Sequence, residues 1–172
     1  MGFTFEKFKR RAIHIYTDGA CEPNPGNGGW GYVVLCGENH DQVFCTGLGG
    51  EIDTTNNRME MMAVIMALEY FDSPQEILIF SDSTYVVNGL NSWIHTWKEK
   101  KDRWDNIKNQ DLWQELWDLK HFHNLVMATW VKGHIGIEFN EMADRLAVEG
   151  MDMNVAMIVD NMELNQIYDY GT

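Results

Sequence analysis

Three short apolar runs open the chain: AIHIYTD at 12–18, WGYVVLC at 30–36 and QVFCTGL at 42–48. They are rich in β-branched and aromatic residues and separated by turn-forming ones, which predicts three strands in an antiparallel meander. The period then changes. From Asn56, NNRMEMMAVIMALEYF places its apolar residues at helical spacing and predicts a helix over 57–71, stopped by Ser73-Pro74. EILIF at 76–80 reads as a fourth strand and LVMATWV at 125–131 as a fifth. Helical segments fit 83–90, 92–101 and 111–121 between them, and a last helix fits 138–149. Strands first, then strands alternating with helices, predict an α/β domain with a mixed sheet. The domain is expected over 1–150. The tail at 151–172 has four acids and no base; it is expected either to be disordered or to add a helix through Val155, Ile158 and Met162.

Composition changes this picture little. At 172 residues the chain suits one domain with a sizeable core. Cys21, Cys36 and Cys45 are odd in number and lack C-x-x-C spacing, which points away from a disulfide framework or zinc site and toward a reducing compartment. No apolar stretch is long enough to span a bilayer, and MGFTFEKFKRRA lacks a signal-peptide core. The expectation is a soluble cytoplasmic protein with no membrane association.

The formal net charge is −13, unlike a generic nucleic-acid binder. The cations are clustered, however. Lys7, Lys9, Arg10 and Arg11 form one group, and Lys98, Lys100, Lys101, Arg103 and Lys108 another. The remaining surface must be acidic, which suits divalent cations better than broad phosphate contact.

The loop after the first strand contains the dinucleotide-binding spelling G-x-G-x-x-G at Gly26, Gly28 and Gly31. That fingerprint requires a helix directly after it. Here WGYVVL follows, so the segment is a glycine-rich hairpin, with Asn24-Pro25-Gly26 as its turn.

Several acids sit where a fold could bring them together. Asp18 ends the first strand, where a solvent-facing turn residue is the plain alternative. Glu60 shares its helix face with Ala63, Val64 and Ala67, a costly place for an unpaired carboxylate. The alternative for Glu60 is a capping box with Asn57. Asp82 follows the fourth strand directly, at the end where α/β folds place their chemistry, although by itself it reads first as the cap of the next helix. Asp144 flanks the apolar stripe of the last helix and by itself reads as a surface acid. His134, in KGHIGIE, is by itself more often structural. Oxygen-only ligands suit magnesium or manganese rather than zinc. Two such ions about 4 Å apart clamp the attacking and leaving oxygens of a phosphoryl displacement.

With these residues assembled, the chain resembles ribonuclease H of type 1. The matching pieces are YTDGACEPNPGNGGWGYV, TTNNRMEMMAVIMALE, IFSDSTYVVNGL, WIHTWKEK, DLWQELW and TWVKGHIGIEFNEMADRLA, in family order over residues 12–149. The resemblance implies a ribonuclease H-like fold: five strands in the order 3-2-1-4-5, the second antiparallel, with helices on both faces. It implies endonucleolytic cleavage of the RNA strand of RNA–DNA hybrids, leaving 5′-phosphate and 3′-hydroxyl ends, by a monomer engaged in primer and hybrid removal. It assigns Asp18, Glu60, Asp82 and Asp144 as catalytic ligands of Mg2+, or Mn2+, and His134 as a catalytic residue that activates water or releases product. It places Asn24, Asn56 and Asn57 on the minor groove and Thr55 and Arg58 at a DNA phosphate.

Residues 93–108, WIHTWKEKKDRWDNIK, match the family's basic protrusion, which makes Trp93, Trp97, Lys98, Lys100 and Lys101 candidate substrate contacts. The plain alternative is a tryptophan stripe that packs inward. The segment before Asp111 is shorter than in well-known bacterial members, and Glu99, Asp102 and Asp105 dilute its charge. Weaker hybrid affinity with a steeper loss in salt is expected. Thr84 stands where many members carry Gln. The competing functions are a catalytically silent hybrid-binding module and a resolvase- or integrase-like DNA nuclease on the same fold. Four intact acids speak against the first, and the asparagines and protrusion against the second.

Overall fold

The computed structural model describes residues 2–133, 136–153 and 158–161. A helix absent from the sequence-based expectation comes first: α1 (Phe5–Arg11), capped by the Thr4 hydroxyl. Then follow β1 (Ile13–Cys21), β2 (Gly26–Cys36), β3 (Gln42–Thr54), α2 (Asn56–Glu69), β4 (Glu76–Ser81) and α3 (Thr84–Asn88). A π-helical turn over Gly89–Trp93 joins α3 to α4 (Ile94–Lys98). The chain continues as α5 (Lys101–Trp104), α6 (Gln110–Phe122), β5 (Leu125–Trp130), α7 (Glu138–Met153) and β6 (Ile158–Asn161).

The sheet order is β5-β4-β1-β2-β3-β6. The five expected strands stand in the expected order, with β2 antiparallel to β1 and β3, and β4 parallel to β1 and β5. The sixth strand is new. Residues 158–161 pair antiparallel with Cys45–Leu48 of β3, so where a helix or disorder was expected the backbone supplies a strand that covers the sheet edge.

Strand alternation divides the sheet into two faces. Ile15, Ile77, Ile79 and Val34 face α2, which is buried nearly all round (Met59, Met61, Ala63, Val64, Ile65, Ala67, Leu68) because it lies between the sheet and α6. On the other face Leu78 and Phe80 pack under Phe8 of α1, and Val33 and Leu35 under Ala143 of α7. Tyr16 touches both groups, stacking on Phe80 with ring centroids 4.6 Å apart.

Gly29 and Gly31 of the hairpin serve this second face. A Cβ on Gly29 would lie 2.1 Å from the Ala147 carbonyl oxygen, and one on Gly31 2.7 Å from that of Ala143. Without side chains there, the α7 backbone rests directly on β2, which fixes where Asp144 stands.

Both caps weighed from sequence move. Thr55 caps α2, its hydroxyl accepting from the Arg58 N–H at 3.4 Å, so no capping box involves Glu60. Ser83 caps α3, its hydroxyl accepting from the Val86 N–H at 3.3 Å, which frees Asp82 from that role.

Candidate active site

Asp18 lies near the end of β1 in the middle of the sheet, on the side chain parity of His14 and Tyr16. The Gly19 N–H donates to its Oδ1 at 2.8 Å. Gly19 faces the other way, and a Cβ on it would sit 2.3 Å from the Glu60 backbone nitrogen. The glycine of TDG therefore lets α2 lie against β1 and brings Glu60 beside Asp18. Both acids are only 5% exposed. Asp82 joins them from just past β4. Among the described residues these three each offer a carboxylate oxygen, all within 4.8 Å of one another.

Asp144 of α7 lines the same open cleft of about 380 Å3, together with Asn56, Val148 and Met151. A surface acid by its helix pattern alone, it stands at the acid cluster because the glycine seam holds α7 close.

The acids of the cluster repel one another. Burial, then the charge of Asp82, push the Asp18 carboxyl up to about 7, against the Gly19 N–H that lowers it. Burial, then Asp18 and Asp82, hold Glu60 well above the usual carboxylate range. The Glu60 Oε2 is buried with no protein donor. Buried acids crowded together with an orphaned oxygen fit a site built for a hard cation, which would take the place of the missing donors. Among the described residues the set holds no Cys or His, so Mg2+ or Mn2+ suits it better than Zn2+.

Two neighbours of Asp82 escaped the sequence reading. The Trp130 indole N–H donates to the Asp82 backbone carbonyl at 3.0 Å. A Cβ on Gly133 would lie 2.2 Å from Asp82 Oδ2. Register explains both, since β5 pairs with β4 up to Ser81 opposite Trp130, and the Val131 N–H donates to the Ser81 carbonyl at 3.0 Å. The glycine of KGH was the available signal. His134, next to it, lies outside the described residues.

The candidate substrate residues fall into two groups. Asn24 Oδ1 accepts from the Asn56 N–H at 3.2 Å, tying the hairpin loop to the start of α2, where half-buried Asn57 follows. Thr55 is the helix cap. Arg58 is engaged: its guanidinium forms a two-point pair with Asp111 at 2.8 and 3.0 Å.

In the protrusion, Trp93 is exposed and meets Tyr85 and Trp97, whereas Trp97 is half-buried and packs against Trp113. Lys98 points inward: its ammonium donates to Gln114 Oε1 at 2.6 Å and lies 3.7 Å from the centroid of the Trp104 ring. The helical spacing that puts Lys98, a candidate substrate contact, beside Trp97 also lets it pack against Trp104. Lys100 is exposed, and Lys101 opens α5.

The sequence model of the RNase H family, described as "RNase H", matches residues 10–152, beginning inside α1. A Ribonuclease H from Chromobacterium violaceum is 47% identical over 143 residues, covering 81% of this chain and 95% of that protein. Among solved structures, LC9-RNase H1, a type 1 RNase H with the type 2 active-site motif, aligns with a TM-score of 0.73 at 25% identity, over 92% of this chain and 81% of that one. RNase H1 from Halobacterium salinarum aligns with a TM-score of 0.62 at 29% identity, over 82% and 98%.

Proposed function

The chain belongs to the ribonuclease H family, and from that premise we propose that it cleaves the RNA strand of RNA–DNA hybrids internally by a two-metal route. The products would carry 5′-phosphate and 3′-hydroxyl ends. The observation that carries this reading is the cluster of buried Asp18 and Glu60 with half-buried Asp82, with carboxylate oxygens within 4.8 Å of one another, in a cleft that Asp144 also lines.

In this reading Asp18, Glu60, Asp82 and Asp144 hold Mg2+, or Mn2+. When bound, the ions lower the pKa of a water and stabilise the departing 3′ oxygen. Everything else is done by the chain. The four acids fix where that chemistry occurs, and Trp130 and Gly133 fix Asp82. Asn24, Asn56 and Asn57 have amides that both donate and accept, as recognition of 2′-hydroxyls in the minor groove requires. Arg58 and Thr55 receive a DNA phosphate, Arg58 exchanging all or part of its pairing with Asp111. His134 moves protons at the scissile phosphate. Trp93, Lys100 and Lys101 track the backbone on the protrusion. The working unit is residues 1–150, a cytoplasmic monomer serving primer and hybrid removal, with residues 158–161 added to its sheet edge.

End-labelled RNA–DNA hybrid, duplex RNA and duplex DNA, each with magnesium or EDTA, test this with the wild type and Asp82→Asn. Only hybrid with magnesium and wild-type protein should be cut. Cleavage of duplex DNA would favour a DNA nuclease, and hybrid binding without cleavage a silent module. Cleavage of hybrid in EDTA would end the metal-dependent reading.

A further inference from the structure

The N-terminal helix has no part in the function proposed so far. Most of α1 precedes the matched region, which begins at residue 10. It holds four of the chain's 13 Lys and Arg residues within five positions. Outside it, nine cations (13 less four) stand against 25 acids (26 less Glu6). One side of α1 is committed to the fold. Phe8 is buried against Leu78 and Phe80, Arg11 pairs with Glu76 through two contacts, and the Lys9 carbonyl lies 2.7 Å from His14 Nε2. At 100° per residue, the opposite side carries Lys7, Lys9 and Arg10 with the single acid Glu6, all exposed. Phe3 and Phe5 are 63% and 39% exposed at its leading end.

The position of this cationic face gives it meaning. Phe8 covers the sheet face that also carries Tyr16, on the side chain parity of Asp18 and under the same layer as α7. Phe80, beneath Phe8, precedes Asp82 by two residues, about 7 Å at strand rise. A basic helix with exposed aromatic rings thus packs on the sheet face that carries Asp18, with its C-terminal end anchored at Glu76, the first residue of β4. A polyanion that enters the cleft and continues over this sheet face meets a cationic surface on a molecule of net negative charge. An anionic membrane has no comparable reason to approach here, since the surroundings would repel it.

We propose that α1 is an additional nucleic-acid contact, in which Lys7, Lys9 and Arg10 receive phosphates of the strand that continues beyond the cleft and Phe5 and Phe3 flank its sugars or unpaired bases. This rests on the hybrid-cleaving reading above for the identity of the polyanion. Each phosphate contact contributes about 0.9 to the slope of log affinity against log salt on a duplex.

The test compares wild type with Lys7→Glu/Lys9→Glu/Arg10→Glu and with the milder Lys7→Gln/Lys9→Gln/Arg10→Gln, all retaining Phe8. Binding to a long hybrid is measured in EDTA across a salt series, and KM with magnesium is measured on long hybrids and on short ones confined to the cleft. The expected result is a salt slope reduced by about 2–3, with KM raised several-fold more on long than on short hybrids. Equal slopes for wild type and both variants overturn the proposal, as does a charge effect confined to anionic vesicles. Long hybrids with paired ends or unpaired flanks separate duplex from single-strand contact. A wild type that binds with the steeper slope yet cuts nothing would sink the proposed activity and leave the α1 contact standing.

Discussion

Asp82 is held from two sides, by the Trp130 indole on its backbone and by the empty space at Gly133 beside its carboxylate. Gly133→Ala should displace Oδ2 and lower metal affinity about 10–100-fold, the usual cost of disturbing a ligand's support. Trp130 is 51% exposed, so Trp130→Phe should act in the same direction, more weakly, without a packing loss. Calorimetric titration with Mg2+ or Mn2+, read beside the melting temperature in EDTA, checks both. A fall in stability with unchanged metal affinity would show that these residues only pack. Lys98 should behave oppositely. Lys98→Met removes its bond to Gln114 and its contact with Trp104, costing about 1–3 kcal/mol in denaturant unfolding, while KM for hybrid stays near the wild-type value.

Among the elements, α7 depends most on what lies beneath it. Gly29 and Gly31 touch its backbone, so Gly31→Val forces the helix away from β2. The expected cost is about 1–3 kcal/mol or more of overpacking, and Asp144 leaves the cleft with the helix. Urea unfolding and metal titration should change together. At the opposite end of the sheet, β5 is an edge strand whose free backbone is occupied by side chains. Asn91, on the π-helical turn, donates to the Ala128 carbonyl at 2.7 Å and accepts from its N–H at 2.9 Å, and Lys120 donates to the Val126 carbonyl at 2.6 Å. Asn91→Leu reopens that edge. Light scattering at raised concentration should show association that the wild type lacks.

For the molecule as a whole, the acid cluster links stability to pH and to metal. Asp18 titrates near 7 in the folded state and near 4 when unfolded, and Glu60 is raised as well. Above pH 4 the folded protein therefore holds protons that the unfolded chain releases. This contribution is complete at lower pH and is lost as pH rises through about 7. Buried His14 has the opposite sign: its pKa falls to about 4, chiefly by desolvation, so its contribution is full above 6.5 and is lost in acid. Between pH 6.5 and 8, above the ordinary histidine range, the raised carboxylates supply the falling contribution. In EDTA the melting temperature should fall across that window, by an equivalent on the order of 1–3 kcal/mol. Saturating Mg2+ should flatten the profile, because a bound cation takes the role of the protons. A profile in EDTA that is flat over the same window would remove the electrostatic basis of the proposed metal site.

By itself the sequence determined the five strands, their order once the family resemblance was reached, and the acids to watch. Alternation and helical spacing are local properties, and they survive folding wherever one face is buried. Long-range approach lay beyond it. Glu60 becomes a neighbour of Asp18 because Gly19 carries no Cβ, and Asp144 becomes one because Gly29 and Gly31 carry none. Arg58 and Lys98 look free in sequence, yet Asp111 and Gln114, 53 and 16 residues away, occupy them. The N-terminal helix gained its place only when Phe8 met Leu78 and Phe80 of β4, a strand far along the chain from it. Periodicity tells a residue which way to face. Only close packing across the sheet decides what it meets there, because that depends on the backbone separations that particular glycines and partner side chains allow.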